Sequence, residues 1–197
     1  MRCAKPSLGG IVLALLMSAC GGLTTQPDSP ASQTESAPAS PLAGEVQAAQ
    51  QLYQANKAEQ ARAQLQALID AHPKSPEAYL VLAGLELDEN HPEAAQTNLD
   101  TALALDPNNR RALNQLGIAQ RMQGHFQAAE QAYTRALSID PDYAQAHRNL
   151  GILYDLYLGK PLEALKHYQR YQALNGDSDT QIDGWIADLK RRAGTNP

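Results

Sequence analysis

The side chains in this sequence that could perform covalent or ligand chemistry are few and scattered. The only thiols are Cys3 and Cys20, both near the start, and the histidines are His72, His91, His125, His147 and His167. His91 and His125 stand 34 residues apart, which would put them in equivalent turns of a repeating fold, about one unit apart and out of shared reach of one ion. No His-Glu-x-x-His, Cys-x-x-Cys, glycine-rich phosphate loop or Gly-x-Ser-x-Gly occurs, and the carboxylates are dispersed rather than paired. The sequence therefore predicts no enzyme, no metal, no cofactor and no small-molecule substrate, and reads the histidines as solvated turn residues. A formal net charge of −5, from 16 basic and 21 acidic side chains, argues against nucleic acid, whose phosphates need a cationic surface.

Cys20 is the exception, because of what precedes it. Residues 1–19 read as a secretory signal: Arg2 and Lys5 give a positive start, and Ile11 to Met17 give an apolar run well short of the roughly 20 residues that cross a bilayer. Met17-Ser18-Ala19-Cys20 resembles the bacterial lipobox, with Met17 in place of the usual leucine. The resemblance implies that Cys20 becomes the first mature residue and carries acyl chains. Gly21 follows, where that family uses Asp for inner-membrane retention, so lipid-anchored sorting to the outer membrane, facing the periplasm, is expected. Each buried CH₂ of such an anchor contributes about 0.8 kcal/mol. Loss of Cys3 with the signal leaves no thiol pair for a disulfide or a metal cluster. Residues 20–41 form the lipidated start and a linker, in which Pro27, Pro30, Pro38 and Pro41 break helices and the rest is mostly small or polar. Such a stretch buries too little apolar area to offset ordering and is expected to act as a tether spanning about 25 Å as a coil.

The elements beyond residue 41 repeat. Pro73, Pro107 and Pro141 are 34 residues apart, and so are Ala61, Ala95 and Ala129, and Leu82, Leu116 and Leu150. Blocks at 42–75, 76–109, 110–143 and 144–175 each read as two amphipathic helices. In the third block these are 110–123 and 126–139, ended by Gly124 and by Asp140-Pro141. Small residues recur at Ala83, Gly117 and Gly151 in the first helix and at Ala61, Ala95, Ala129 and Ala164 in the second, so the pair can approach closely while Leu99 or Tyr133 fills the space between units. Residues 176–197 read as a cap and tail. Ser178 with Gln181 suggests a capping box, and Ile182, Trp185, Ile186 and Leu189 form a stripe that would cover the open end. Trp185 is expected to be well buried there, with Trp185→Ala costing about 3–5 kcal/mol.

At these residues the chain resembles the tetratricopeptide repeat (TPR). The third block gives Leu113, Leu116-Gly117, Gln120, Ala129, Tyr133, Ala136 and Pro141, and the second gives Tyr79, Leu82-Ala83, Ala95, Leu99, Ala102 and Pro107. The fourth gives Leu150-Gly151, Tyr154, Ala164 and Tyr168 with one extra residue near Tyr157–Pro161, and the first is weakest. The resemblance implies an all-α, right-handed solenoid of four helix–turn–helix units plus a C-terminal capping helix, which binds a protein or peptide on a concave surface lined by the first helices. Carried over position by position, that surface includes Arg111, Asn114, Ile118, Arg121, Arg148, Asn149 and Ile152, with Glu77, Leu80, Val81 and Gly84 in the second unit. Arg111, Asn114, Arg148 and Asn149 would suit a peptide backbone or a carboxylate. Val46 and Gln50 stand where the clamp for chaperone C-termini needs Lys and Asn, so that ligand is not expected. The expected role is a membrane-tethered interaction scaffold or assembly factor, of the kind found among TPR lipoproteins of pilus and secretion-channel systems. An adaptor for peptidoglycan hydrolases or envelope proteases is the alternative, and a catalyst with an unrecognised site the outlier.

Overall fold

The described residues are 41–176, 179–192 and 194 of a computed structural model. They form nine α-helices and no strand: α1 Pro41–Gln54, α2 Ala58–Ala71, α3 Pro76–Asp88, α4 Pro92–Leu105, α5 Arg110–Met122, α6 Phe126–Ile139, α7 Ala144–Leu156, α8 Pro161–Asn175 and α9 Thr180–Arg192. Cys20 and the signal and linker segments lie outside the described residues.

Two kinds of stop punctuate the helices. Between units, His72, Asp106 and Asp140 each precede a proline, whose ring disfavours helical geometry in the residue before it. All three share one conformation, with φ of −134°, −135° and −134°. Two of the next first helices then start on a side-chain cap: Ser75 Oγ accepts from the Ala78 N–H, and Asn109 Oδ1 accepts from the Ala112 N–H at 3.1 Å. Inside each unit the turn needs a left-handed residue. Asn56, Asn90, Gly124 and Gly159 supply it with φ of 58°, 63°, 79° and 61°. The inserted residue of the fourth unit displaces Gly159 by one position from the 34-residue step and leaves the turn's chemistry intact.

Helices pack as α1/α2, α3/α4, α5/α6 and α7/α8, and each second helix also contacts the next first helix. The first helices touch one another in the row α1–α3–α5–α7, while the second helices do not touch one another. The first helices therefore form the tighter row. The small positions hold the pairs together: Ala61, Ala95, Ala129 and Ala164 are completely buried. Ala83 shares a core with Leu99 in unit two. In units three and four the same place is taken by a glycine under a tyrosine ring, Gly117 beneath Tyr133 and Gly151 beneath Tyr168.

Helix α9 covers the end of the array, with one correction to the sequence reading, the burial of Trp185. Ser178 lies outside the described residues, and the visible cap is Asp179, whose Oδ1 faces the N–H groups of Gln181 and Ile182 at 3.2 Å each. The stripe is buried at Ile182, Ile186 and Leu189, but Trp185 is only partly covered. The reason is geometric: α9 contacts the backbone of α8 and not that of α7. Long side chains span the remaining gap. The Arg148 guanidinium lies over the Trp185 ring at 5.9 Å, and Arg192 pairs with Asp155 at 2.6 Å.

Candidate functional site

Counting each unit from its first residue in the 34-residue frame (Leu42, Pro76, Arg110, Ala144), and α9 from Thr180, the fifth residue of one unit meets the sixth of the next. Val46 shares a core with Val81. Asn149 Nδ2 donates to Asn114 Oδ1 at 2.9 Å. Arg148 over Trp185 continues the pattern into α9. Asn114 and Asn149, 6% and 8% exposed, thus tie α5 to α7 instead of standing open for a peptide backbone. Arg111 is half-exposed and pairs with Glu77 at 2.8 Å, one repeat away. Ile118 and Ile152 are half-buried against the core of units three and four. Arg121 Nη1 donates to the Tyr157 hydroxyl at 3.4 Å, and its guanidinium lies 5.7 Å from that ring centre.

The deeper opening on this face lies nearer the start of the array. A recess of about 260 Å³ is floored by Ala49, Leu65, Leu80 and Leu85 and rimmed by Gln50, Tyr53, Gln54, Val81, Gly84, Asp88, Arg111 and Gln115. Its apolar floor suits an inserted side chain, and its rim offers both donors and acceptors. Gln115 Oε1 is buried without a hydrogen-bond partner. Partial burial, then the Asp88 carboxylate, holds the Tyr53 hydroxyl above its ordinary value. Of the predicted concave-face residues, Leu80, Val81, Gly84 and Arg111 line the recess, and the other predicted residues of units three and four do not. Gln50 is expected on this face only as a departure from the chaperone clamp, and Tyr53 escaped the sequence reading although it stands 34 residues before Leu87, in a column used for the later units.

His72, His91 and His125 are exposed turn residues as expected, while His147 and His167 stand part-buried on α7 and α8, and two polar clusters involve histidines. Arg62 of α2 donates to both Glu86 and Glu89, tying unit one to unit two, and His91 Nδ1 lies 3.1 Å from Glu86. Glu86, Glu89 and His91 offer ligand atoms within 4.8 Å of one another, but Arg62 already neutralises the two carboxylates. The second cluster is His147 with His167. His147 Nε2 lies 3.0 Å from the Pro141 carbonyl oxygen, which only accepts, so that nitrogen carries a proton. His147 Nδ1 and His167 Nδ1 lie 2.9 Å apart and share one hydrogen bond, whose donor depends on the tautomers.

Burial, then the neighbouring His147 and Lys166, lowers His167 from 6.5 to about 4. The folded-state value lies below the unfolded one. Neutral His167 therefore contributes stability that is complete above pH 6.5 and is lost as pH falls towards 4. Melting temperature is expected to fall by several degrees between about pH 7 and about pH 4.5, and His167→Gln to remove a clear part of that fall. Circular-dichroism melts of both proteins at the two pH values check this, and an unaltered fall in the variant would assign the effect to other groups.

The comparisons with known proteins agree with this architecture. A family model described as tetratricopeptide repeat matches residues 46–90, 85–144 and 114–179. The solved structure of Pseudomonas aeruginosa pilF is similar with a TM-score of 0.71 at 26% identity, over 78% of this chain and 69% of that one. A thermophilic TPR protein of Thermus thermophilus gives 0.64 at 23% identity over 78% and 83% of the two chains. MamA gives 0.65 at 24% over 74% and 84%. At those identities the last two speak for the fold alone. No curated protein matches in sequence.

Proposed function

Because the chain belongs to the tetratricopeptide-repeat family, we propose that it is an interaction scaffold held at the outer membrane by lipid on Cys20. There it faces the periplasm and serves as an assembly factor in pilus or secretion-channel biogenesis. The repeat fold is that of a protein–protein interaction scaffold. The observation that carries the reading is the first-helix face. It presents an apolar recess rimmed by Tyr53, Val81, Arg111 and Gln115, and no described helix covers it. Such a concave site, with an apolar floor and a polar rim, is suited to receive a side chain from a partner segment. The membrane part of the reading is supported by the apolar run and Met17-Ser18-Ala19-Cys20. Among the described residues no helix is long and apolar enough to cross a membrane. The pilus part is supported by the resemblance to TPR lipoproteins of such systems, together with the fold shared with pilF over most of both chains.

Crosslinking in intact cells tests the reading. The wild-type protein and Cys20→Ser are each captured, and the companions are identified by mass spectrometry. A channel or pilus subunit is expected with the wild type and is expected to disappear with Cys20→Ser. Recovery of hydrolases or proteases with both forms would replace this reading by the enzyme adaptor.

A further inference from the structure

We propose that Arg121 is the seat for a single carboxylate on a partner protein segment, flanked by apolar side chains that dock beside Tyr157. The proposal rests on the first-helix face being the partner-binding face and adds the chemistry of what binds there. Arg62, Arg110, Arg111, Arg170 and Arg192 each hold a carboxylate. Arg121 does not. It sits in the last turn of α5, partly buried, against the hydroxyls of Tyr133 and Tyr157. Among the described residues the groups acting on its charge are the phenols of Tyr133 and Tyr157, with no carboxylate. Glu130 of the neighbouring α6 is taken by the Tyr154 hydroxyl at 2.8 Å and by Lys160 at 3.2 Å. A desolvated guanidinium without a counter-charge is costly to keep, and the group that satisfies its planar fork is a carboxylate.

The surroundings describe the rest of the ligand. Tyr157 stacks on Phe126 with ring centres 4.8 Å apart and is still 41% exposed. Next to it Leu156 is 66% exposed, and Met122, beside Arg121, is 36% exposed. Leu162 is also exposed, just past the turn that carries the unit's extra residue. An exposed aromatic ring against a cation that lacks a counter-charge, with exposed apolar residues adjacent in sequence to both, fits an acidic residue with apolar neighbours. This arrangement does not fit a phosphate-rich surface, which needs several cations together, and the net charge of −5 opposes one.

The probe is a displayed library of random peptides about twelve residues long, selected against the full chain in detergent. Enriched peptides are expected to carry Asp or Glu within about two positions of a large apolar residue. A synthesised winner should bind roughly ten-fold or more weakly to Arg121→Gln, and the same loss is expected when its acid is changed to the amide. Leu156→Ser, an exposed change that leaves the core alone, should weaken it several-fold, and Thr134→Ala, an exposed change on α6, should leave it unchanged. Winners that need no acid, or that are insensitive to both Arg121→Gln and Leu156→Ser, overturn the proposal. Enrichment lost only with Tyr53→Ala would overturn it while leaving the first-helix face as the binding face. No enrichment, or Arg121-dependent binding to phosphatidylglycerol vesicles in place of peptide, also overturns it.

Discussion

Gly151→Ala is expected to destabilise the domain by about 1–3 kcal/mol, the usual cost of overpacking a filled core. The sign is the informative part, since alanine in place of glycine normally stabilises a helix interior by about 1 kcal/mol. Here a Cβ would lie 2.4 Å from Cδ1 and Cε1 of Tyr168, closer than carbon atoms approach. The ring cannot simply withdraw. Tyr168 is buried, and its far side is met by Trp185 at 5.4 Å between ring centres. Unit two shows the alternative solution, with Ala83 and Leu99 filling the same place. In a Tyr168→Leu background, Gly151→Ala is therefore expected to be neutral or stabilising. Urea unfolding of the two single variants and the double variant gives the coupling directly. A Gly151→Ala protein as stable as wild type would show that the ring does not press on this position.

That pairing also shows how far the sequence could be read. The small residue and the large one were each visible as members of a column. Their trade, alanine with leucine or glycine with tyrosine, emerges only when the two helices are placed together. The helices themselves were legible because local chemistry enforces their ends: a pre-proline residue between units and a left-handed asparagine or glycine within them. The binding face was less legible. The fifth position of a unit was read as exposed, yet Val46, Leu80 and Asn114 are buried there. A first helix rotates that position towards its neighbour, and a polar residue such as Asn114 survives only by finding Asn149. Periodicity reports that a position recurs; it does not report which side of the column faces solvent. For the same reason the contribution of Tyr53 to the recess was not legible, although Leu80, Val81, Gly84 and Arg111 were expected on this face. The first unit matches the repeat pattern most weakly, while its contribution to the face depends on where α1 stands rather than on how well its sequence conforms.

Leu189→Ala is expected to cost about 2–5 kcal/mol and to exceed the cost of Trp185→Ala, reversing the order that residue size suggests. Leu189 and Ile182 are completely buried against a cluster that includes Leu153, Tyr154 and Tyr168, whereas Trp185 keeps part of its surface in water beneath Arg148. The partial exposure lowers the area that Trp185→Ala would return to solvent. Helix α9 also has little else to hold it. Its backbone contacts α8 alone, and beyond the shared apolar cluster its polar links to α7 run through Arg148 with Trp185 and Arg192 with Asp155. The Arg192 pair is partly solvated on the arginine side and contributes modestly. Removing Leu189 should therefore loosen α9 before the rest of the array unfolds, exposing the apolar end of unit four. Trp185, the chain's single tryptophan, reports this without a label. In Leu189→Ala its emission should shift to the red at urea concentrations where far-ultraviolet circular dichroism still shows most of the helix. Coincident transitions at an unchanged midpoint would mean that α9 does not act as the cap.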